Sequence, residues 1–133
     1  MDLVFLDANI LFSASYSQNT KLLQFWNLKN IKLITSSYAL NETFRNLNTQ
    51  KQKIQLKKLV SKISLIEFLP IVNISPKIEL KEKDIPILKA AIFAKATHLI
   101  TGDKKDFGTY FNKTIQGVLI LPPADYLKNK VTI

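Results

Sequence analysis

The chain of 133 residues contains no cysteine and a single histidine. Without cysteine there can be no disulfide, zinc–thiolate site or thiol nucleophile, a profile that fits a reducing cytoplasm. His98 alone would have to serve any Ser-His-Asp relay. It falls in the apolar run Ala96-Thr97-His98-Leu99-Ile100-Thr101, where a core or edge-strand histidine is the expected outcome. Glycine is scarce, three residues in all, and no Gly-rich loop followed by Lys-Ser or Lys-Thr is present, which argues against nucleoside triphosphate hydrolysis. No apolar stretch approaches the ~18 residues of a spanning helix, and the N-terminus lacks a basic region followed by a long apolar one. A membrane is therefore not an expected partner.

Acidic residues are also few. Ten Asp and Glu stand against nineteen Lys and Arg, of which Arg45 is the only arginine, giving a net charge of +9 and a pI of 9.8. Such a balance favours a polyanionic partner, nucleic acid above all.

The length is that of one ordinary domain, and no internal repeat or low-complexity linker divides it, so residues 1–133 are expected to form a single domain. Short apolar runs at Leu3–Leu6, Ile31–Thr35, Leu65–Leu69, Ala96–Thr101 and Gly117–Leu121 read as strands. Between them lie helical patterns: Ile10–Ala14; a second helix capped by Asn19 or Thr20; a third capped at Ser36-Ser37 and reaching about Leu47; a lysine-rich helix from about Thr49 to Ser64; and Ile85–Lys95. Pro122-Pro123 opens a terminal helix or turn. Alternation of this kind predicts an α/β fold with a parallel sheet.

The placement of the acids is the most informative feature. Asp7 ends an all-apolar strand, and Asp103 repeats that arrangement after Gly102. In open α/β sheets, ligands bind at the carboxyl ends of the strands, so both carboxylates are candidate metal ligands if those ends are neighbours. Glu42 and Asp84 could complete a cluster. Each has a structural alternative. Asp7 or Asn9 could cap a helix, Asp84 could cap the helix that carries Pro86 in its first turn, and Asp103 could be a turn residue. Glu42 lies opposite the stripe Leu40, Phe44 and Leu47, where it could simply pair with Arg45.

Leu6-Asp7-Ala8-Asn9, Glu42 followed by Arg45-Asn46-Leu47, Asp84-Ile85-Pro86-Ile87-Leu88, and Ile100-Thr101-Gly102-Asp103-Lys104-Lys105-Asp106-Phe107 occur in an order that resembles the PIN domains, the nuclease fold of VapC-type toxins and related RNA-processing enzymes. The last block is the most specific, and together the four span nearly the whole chain. The resemblance implies a three-layer α/β/α sandwich around a mainly parallel sheet of four or five strands, with the first and fourth strands adjacent. It implies further that Asp7, Glu42, Asp84 and Asp103 are catalytic and hold Mg²⁺ or Mn²⁺, with Asp106 as a fifth candidate ligand and Asn9 and Thr101 in support. Lys104 and Lys105, beside Asp103, are the lysines best placed to hold RNA. On this reading RNA is the substrate, and a small antitoxin and a second copy of the chain are the candidate protein partners. An inactive RNA-binding relative would be expected to lack one of the four acids. A phosphatase of the haloacid dehalogenase type would need an Asp where Asn9 stands.

Overall fold

The structure, a computed structural model, describes residues 1–17, 20–68 and 70–131. Asn19 and the side chain of Thr20, expected as caps, and Leu69, expected to end the third strand, lie outside the described residues. Among the described residues six strands make one sheet: β1 (Asp2–Leu6), β2 (Ile31–Ser36), β3 (Ser64–Ile66), β4 (His98–Ile100), β5 (Lys113–Ile115) and β6 (Val118–Leu121), in the order β3-β2-β1-β4-β6-β5. Every pairing is parallel except that of β5 with β6. The sheet thus has one strand more than the four or five expected. The addition is β5, two of whose three residues are exposed and which carries no apolar run. Its turn places Gln116 (φ 47°) and Gly117 (φ 91°) in the left-handed region, the two-residue hairpin form whose twist matches antiparallel strands.

Helices cover both faces. α1 (Ala8–Tyr16), α2 (Thr20–Leu23), α4 (Gln50–Val60) and α7 (Pro123–Val131) pack on one side, where Leu11, Leu22, Leu59 and Leu127 meet Val4, Leu6, Leu33 and Ile100. On the other side α5 (Ile85–Phe93) and α6 (Lys104–Phe107) bring Ile87, Leu88 and Phe107 against Phe5, Ile34, Leu99 and Ile120. Successive strand residues alternate between the two layers, as the pleat requires. α3 (Ser37–Asn46) contributes to both, through Leu47 just past its end and through Ala39.

Local signals set the boundaries. The Ser36 hydroxyl accepts the Ala39 N–H at 3.1 Å and starts α3. Thr49 and Gln52 form a reciprocal capping box that starts α4. That helix ends at Val60 rather than near Ser64, because a turn through Ile63 releases Ser64 to begin β3.

The topology positions the site. β2 and β3 lie to one side of β1 and β4 to the other, so the winding reverses between β1 and β4 and opens a crevice at their carboxyl ends. Leu6 is in register with Ile100. Asp7 and Thr101 therefore leave the sheet side by side.

Candidate metal centre

The ladder continues one residue beyond the strands: the Asp7 N–H donates to the Ile100 carbonyl at 3.0 Å and the Thr101 N–H to that of Leu121 at 3.1 Å. Asp7 is the N-cap of α1. Its Oδ1 accepts the Ala8 N–H at 2.6 Å, and its Oδ2 accepts the Thr101 hydroxyl at 2.8 Å and the Asn9 amide at 3.1 Å. The Thr101 oxygen in turn accepts from the Asn9 amide and from the Asp103 N–H, each at 3.1 Å, so its one hydrogen and both lone pairs are used. Asn9 Oδ1 closes the circuit by accepting the Gly102 N–H at 2.8 Å. Capping and site geometry coexist at Asp7.

Glu42 is placed by its neighbour. The buried Thr43 hydroxyl lies 2.9 Å from the Ala39 carbonyl and 3.2 Å from that of Ala8, fastening α3 to the first turn of α1. The stripe that α3 buries is Ala39, Thr43 and Leu47, whereas Phe44 is 50% exposed. This corrects the stripe of Leu40, Phe44 and Leu47 expected from spacing: small residues let the helix backbone approach α1, and rotation follows. Glu42 is thereby half-buried on the side of the crevice, and among the described residues no ion pair joins it to Arg45.

Asp84 holds the N-cap position of α5 without capping it. Its backbone is helical (φ −97°, ψ −18°), and its side chain accepts no hydrogen bond from the helix. Oδ2 is buried with no donor reaching it in a residue only 6% exposed, and the neighbouring Asp106 carboxylate becomes a hydrogen-bond partner of Asp84 only when Asp84 carries a proton. A buried carboxylate oxygen in that state is costly unless something binds it. Asp103 does cap a helix, its Oδ1 accepting the Asp106 N–H at 3.0 Å. One carboxylate oxygen from each of Asp84, Asp103 and Asp106 lies within 4.8 Å of the others. Asp106, nearly covered, also meets two ammonium groups: Lys81 at 3.1 Å on Oδ1 and Lys83 at 3.4 Å on Oδ2.

Asp7, Glu42, Asp84 and Asp103 line a single cavity of about 480 Å³, together with Asn9 and Lys83. Burial pushes the Asp7 carboxyl up to about 6; the Thr101 and Ala8 hydrogen bonds oppose this, and the charges of Glu42 and Asp103 add to it. Burial, then Asp106, pushes Asp84 up to about 7. Asp106 moves the opposite way, held below the usual carboxylate range chiefly by Lys81. Among the described residues, Asp84, Asp103 and Asp106 bring donor oxygens close enough to share a cation, while Asp7 and Glu42 line the same cavity outside that group; oxygen donors of this kind suit a hard divalent cation.

The remaining candidates fall elsewhere. Lys104 and Lys105 are exposed beside Asp103 but do not line the cavity. His98 begins β4 at the end of the strands opposite the crevice, its ring 4.9 Å from that of Tyr126 and its Nδ1 3.9 Å from Asp2 Oδ2, so it forms no relay with the four acids of the cavity. Lys81 and Lys83 were not singled out from sequence. Alternating charge in Lys81-Glu82-Lys83-Asp84, immediately before a candidate ligand, was the available signal.

No curated protein matches the sequence. Among solved structures, the fold is similar to VapBC2 from Rickettsia felis, crystallised bound to a DNA fragment from its promoter, with a TM-score of 0.66 and 18% identity over 90% of this chain and 98% of that one. It is also similar to VapBC-1 from nontypeable Haemophilus influenzae, with a TM-score of 0.61 and 16% identity over 92% of this chain and 98% of that one. At such identities the likeness concerns the fold. The family model of the PIN domain matches residues 3–105, a stretch that includes Asp7, Glu42, Asp84 and Asp103. With most of its length matched and its strand order assembled around those four acids, the chain belongs to the PIN domain family.

Proposed function

We propose that the chain is a single-domain, metal-dependent endoribonuclease acting in the cytoplasm as the toxin of a toxin–antitoxin pair. The observation that carries this reading is the convergence of Asp7, Glu42, Asp84 and Asp103 on one cavity at the reversal of the sheet, with Asp84 Oδ2 buried and unpartnered. Family membership and the +9 charge support it independently.

On this reading the four acids hold Mg²⁺ or Mn²⁺, which would stabilise charge on the phosphodiester oxygens and make water more nucleophilic. The chain's own residues supply orientation. Thr101, Asn9 and the Ala8 N–H fix both oxygens of Asp7, and the Asp106 N–H fixes one of Asp103. Thr43 holds α3 so that Glu42 reaches the cavity. Exposed lysines beside the site offset its negative field and favour a phosphate backbone.

The test is cleavage of single-stranded RNA with Mg²⁺, with Mn²⁺ and in excess EDTA, alongside a small phosphate ester. Metal-dependent cleavage of RNA and not of the ester supports the proposal. Hydrolysis of the ester alone would make the protein a phosphatase, and RNA binding without cleavage would make it an inactive relative.

A protein partner is part of the same reading, since the two similar solved structures named above are VapBC assemblies. α3 and α4 flank an apolar groove of about 500 Å³ containing Leu40, Phe44 and Ile54, with Lys53 above the Phe44 ring at 4.9 Å. Co-expression with the product of a short reading frame beside the gene should yield a stable complex in which cleavage is suppressed. Ultracentrifugation of the isolated chain tests the homodimer.

A further inference from the structure

Lys81 and Lys83 are exposed lysines whose ammonium groups are fixed. Their Nζ atoms share one carboxylate, that of Asp106, whose side chain is 3% exposed, while their own side chains are a little over half exposed. The backbone beneath them is held too: the Lys81 carbonyl accepts the N–H groups of Asp84 (2.9 Å) and Ile85 (3.3 Å), and that of Lys83 accepts the Tyr38 hydroxyl at 2.9 Å. Surface lysines ordinarily lose considerable side-chain entropy when a ligand fixes them. Here much of that ordering is already present, and Lys83 faces the cavity lined by Asp7, Glu42, Asp84 and Asp103.

We propose that Lys83, with Lys81 behind it, forms a seat for an RNA backbone phosphate next to the bond to be cleaved, and that Asp106 positions these lysines. This rests on the nuclease reading above. The acids gather negative charge that repels a phosphate, and a fixed cationic pair at the lip supplies a specific place where one is attracted. Each ammonium has three donors and Asp106 uses one, so donors remain for a phosphate oxygen without breaking the pair. Lys104 and Lys105, outside the cavity, contact RNA farther from the reacting bond.

The test is the affinity of a fluorescently labelled single-stranded RNA, measured by anisotropy across a salt series in the Asp7→Asn background, with Mg²⁺ present. Lys83→Gln should weaken binding about tenfold and lower the salt slope by about 0.7, the value for one phosphate contact on a single strand. Lys83→Arg should restore most of the affinity. Asp106→Asn is the decisive variant, because it makes the site more positive. If Asp106 builds the seat, affinity falls severalfold despite the added positive charge, whereas simple electrostatics makes it rise. Mn²⁺ binding to the otherwise native protein, followed by paramagnetic resonance, should survive both Lys83→Gln and Asp106→Asn; loss of Mn²⁺ binding in Asp106→Asn would make Asp106 a metal ligand and overturn its part in the seat. Unchanged RNA affinity in Lys83→Gln, or tighter binding in Asp106→Asn, overturns the seat while leaving the nuclease reading intact. A wild-type chain that binds neither Mn²⁺ nor RNA removes both.

Discussion

Thr101 and Asp7, 94 residues apart in sequence, are joined by a buried 2.8 Å hydrogen bond that locks the end of β4 to the end of β1. Replacing the hydroxyl by a methyl in Thr101→Val deprives the Asp7 carboxylate of a donor and leaves the Asp103 N–H and the Asn9 amide without that acceptor. A loss of about 1–3 kcal/mol in urea unfolding is expected. The Asp7 pKa should rise further, since a bond to the charged form has been removed. Thr101→Ser should recover most of the stability.

Neutralising a proposed metal ligand should separate folding from activity. Asp103→Asn removes charge from a crowded cluster with little change in volume and should hold or gain stability, whereas Asp7→Asn also replaces an oxygen that accepts from Thr101 and Asn9, so it should fold with stability lowered by about 1–3 kcal/mol. RNA cleavage should be lost in each. Wild-type rates in either variant would sink the carboxylate mechanism.

The raised acids give the metal-free protein an unusual pH profile. Asp7 and Asp84 have folded pKa values of about 6 and about 7, above the ordinary 3.8, so between these limits the folded state binds more protons than the unfolded one. Their contribution to stability is therefore greatest at low pH and declines as pH rises through 6 to 7. For Asp7 the penalty at pH 8 is roughly 3 kcal/mol. A divalent cation needs the deprotonated acids and should reverse the trend. Thermal melts at pH 5 and pH 8, with EDTA and with Mn²⁺, should show the larger metal-induced rise in Tm at pH 8.

Lys104 and Lys105 are exposed beside Asp103. Replacing both by Gln should weaken RNA binding across sequences and flatten its dependence on salt. An unchanged slope would assign the backbone contacts to other lysines.

At the end of the strands opposite the cavity the Tyr126 hydroxyl donates to Asp2 Oδ2 at 2.7 Å, and Lys130 lies 3.2 Å from the same oxygen. Tyr126→Phe should cost about 1 kcal/mol in denaturant, with the RNA cleavage rate unaltered, since this anchor of α7 is remote from the acids.

Much of this architecture was legible because buried parallel strands are continuous apolar runs, and acids placed directly after them stand out. Asp7 and Asp103 were found in that way. β5 was not, because Lys113 and Thr114 face solvent and pair through backbone atoms, leaving only Gln116-Gly117 as a turn signal. Glu42 was legible by family resemblance alone: helical periodicity points to the bulky stripe, while the helix actually seats on Ala39 and Thr43. Lys83 is marked in the sequence only by the alternating charge of Lys81-Glu82-Lys83-Asp84, because its partner Asp106 lies 23 positions later.

The sheet order has a consequence for the growing polypeptide. β1, β2 and β3 can pair while the chain is little more than half made, yet β4 must then dock on the still open flank of β1. Until that strand has been synthesised, Asp7 has no Thr101 to bind it and Asp103 has no place beside it. The acidic cavity is thus withheld from the nascent chain, and a ribosome-bound fragment ending before residue 98 has three of the four acids in its sequence without the geometry that joins them to Asp103.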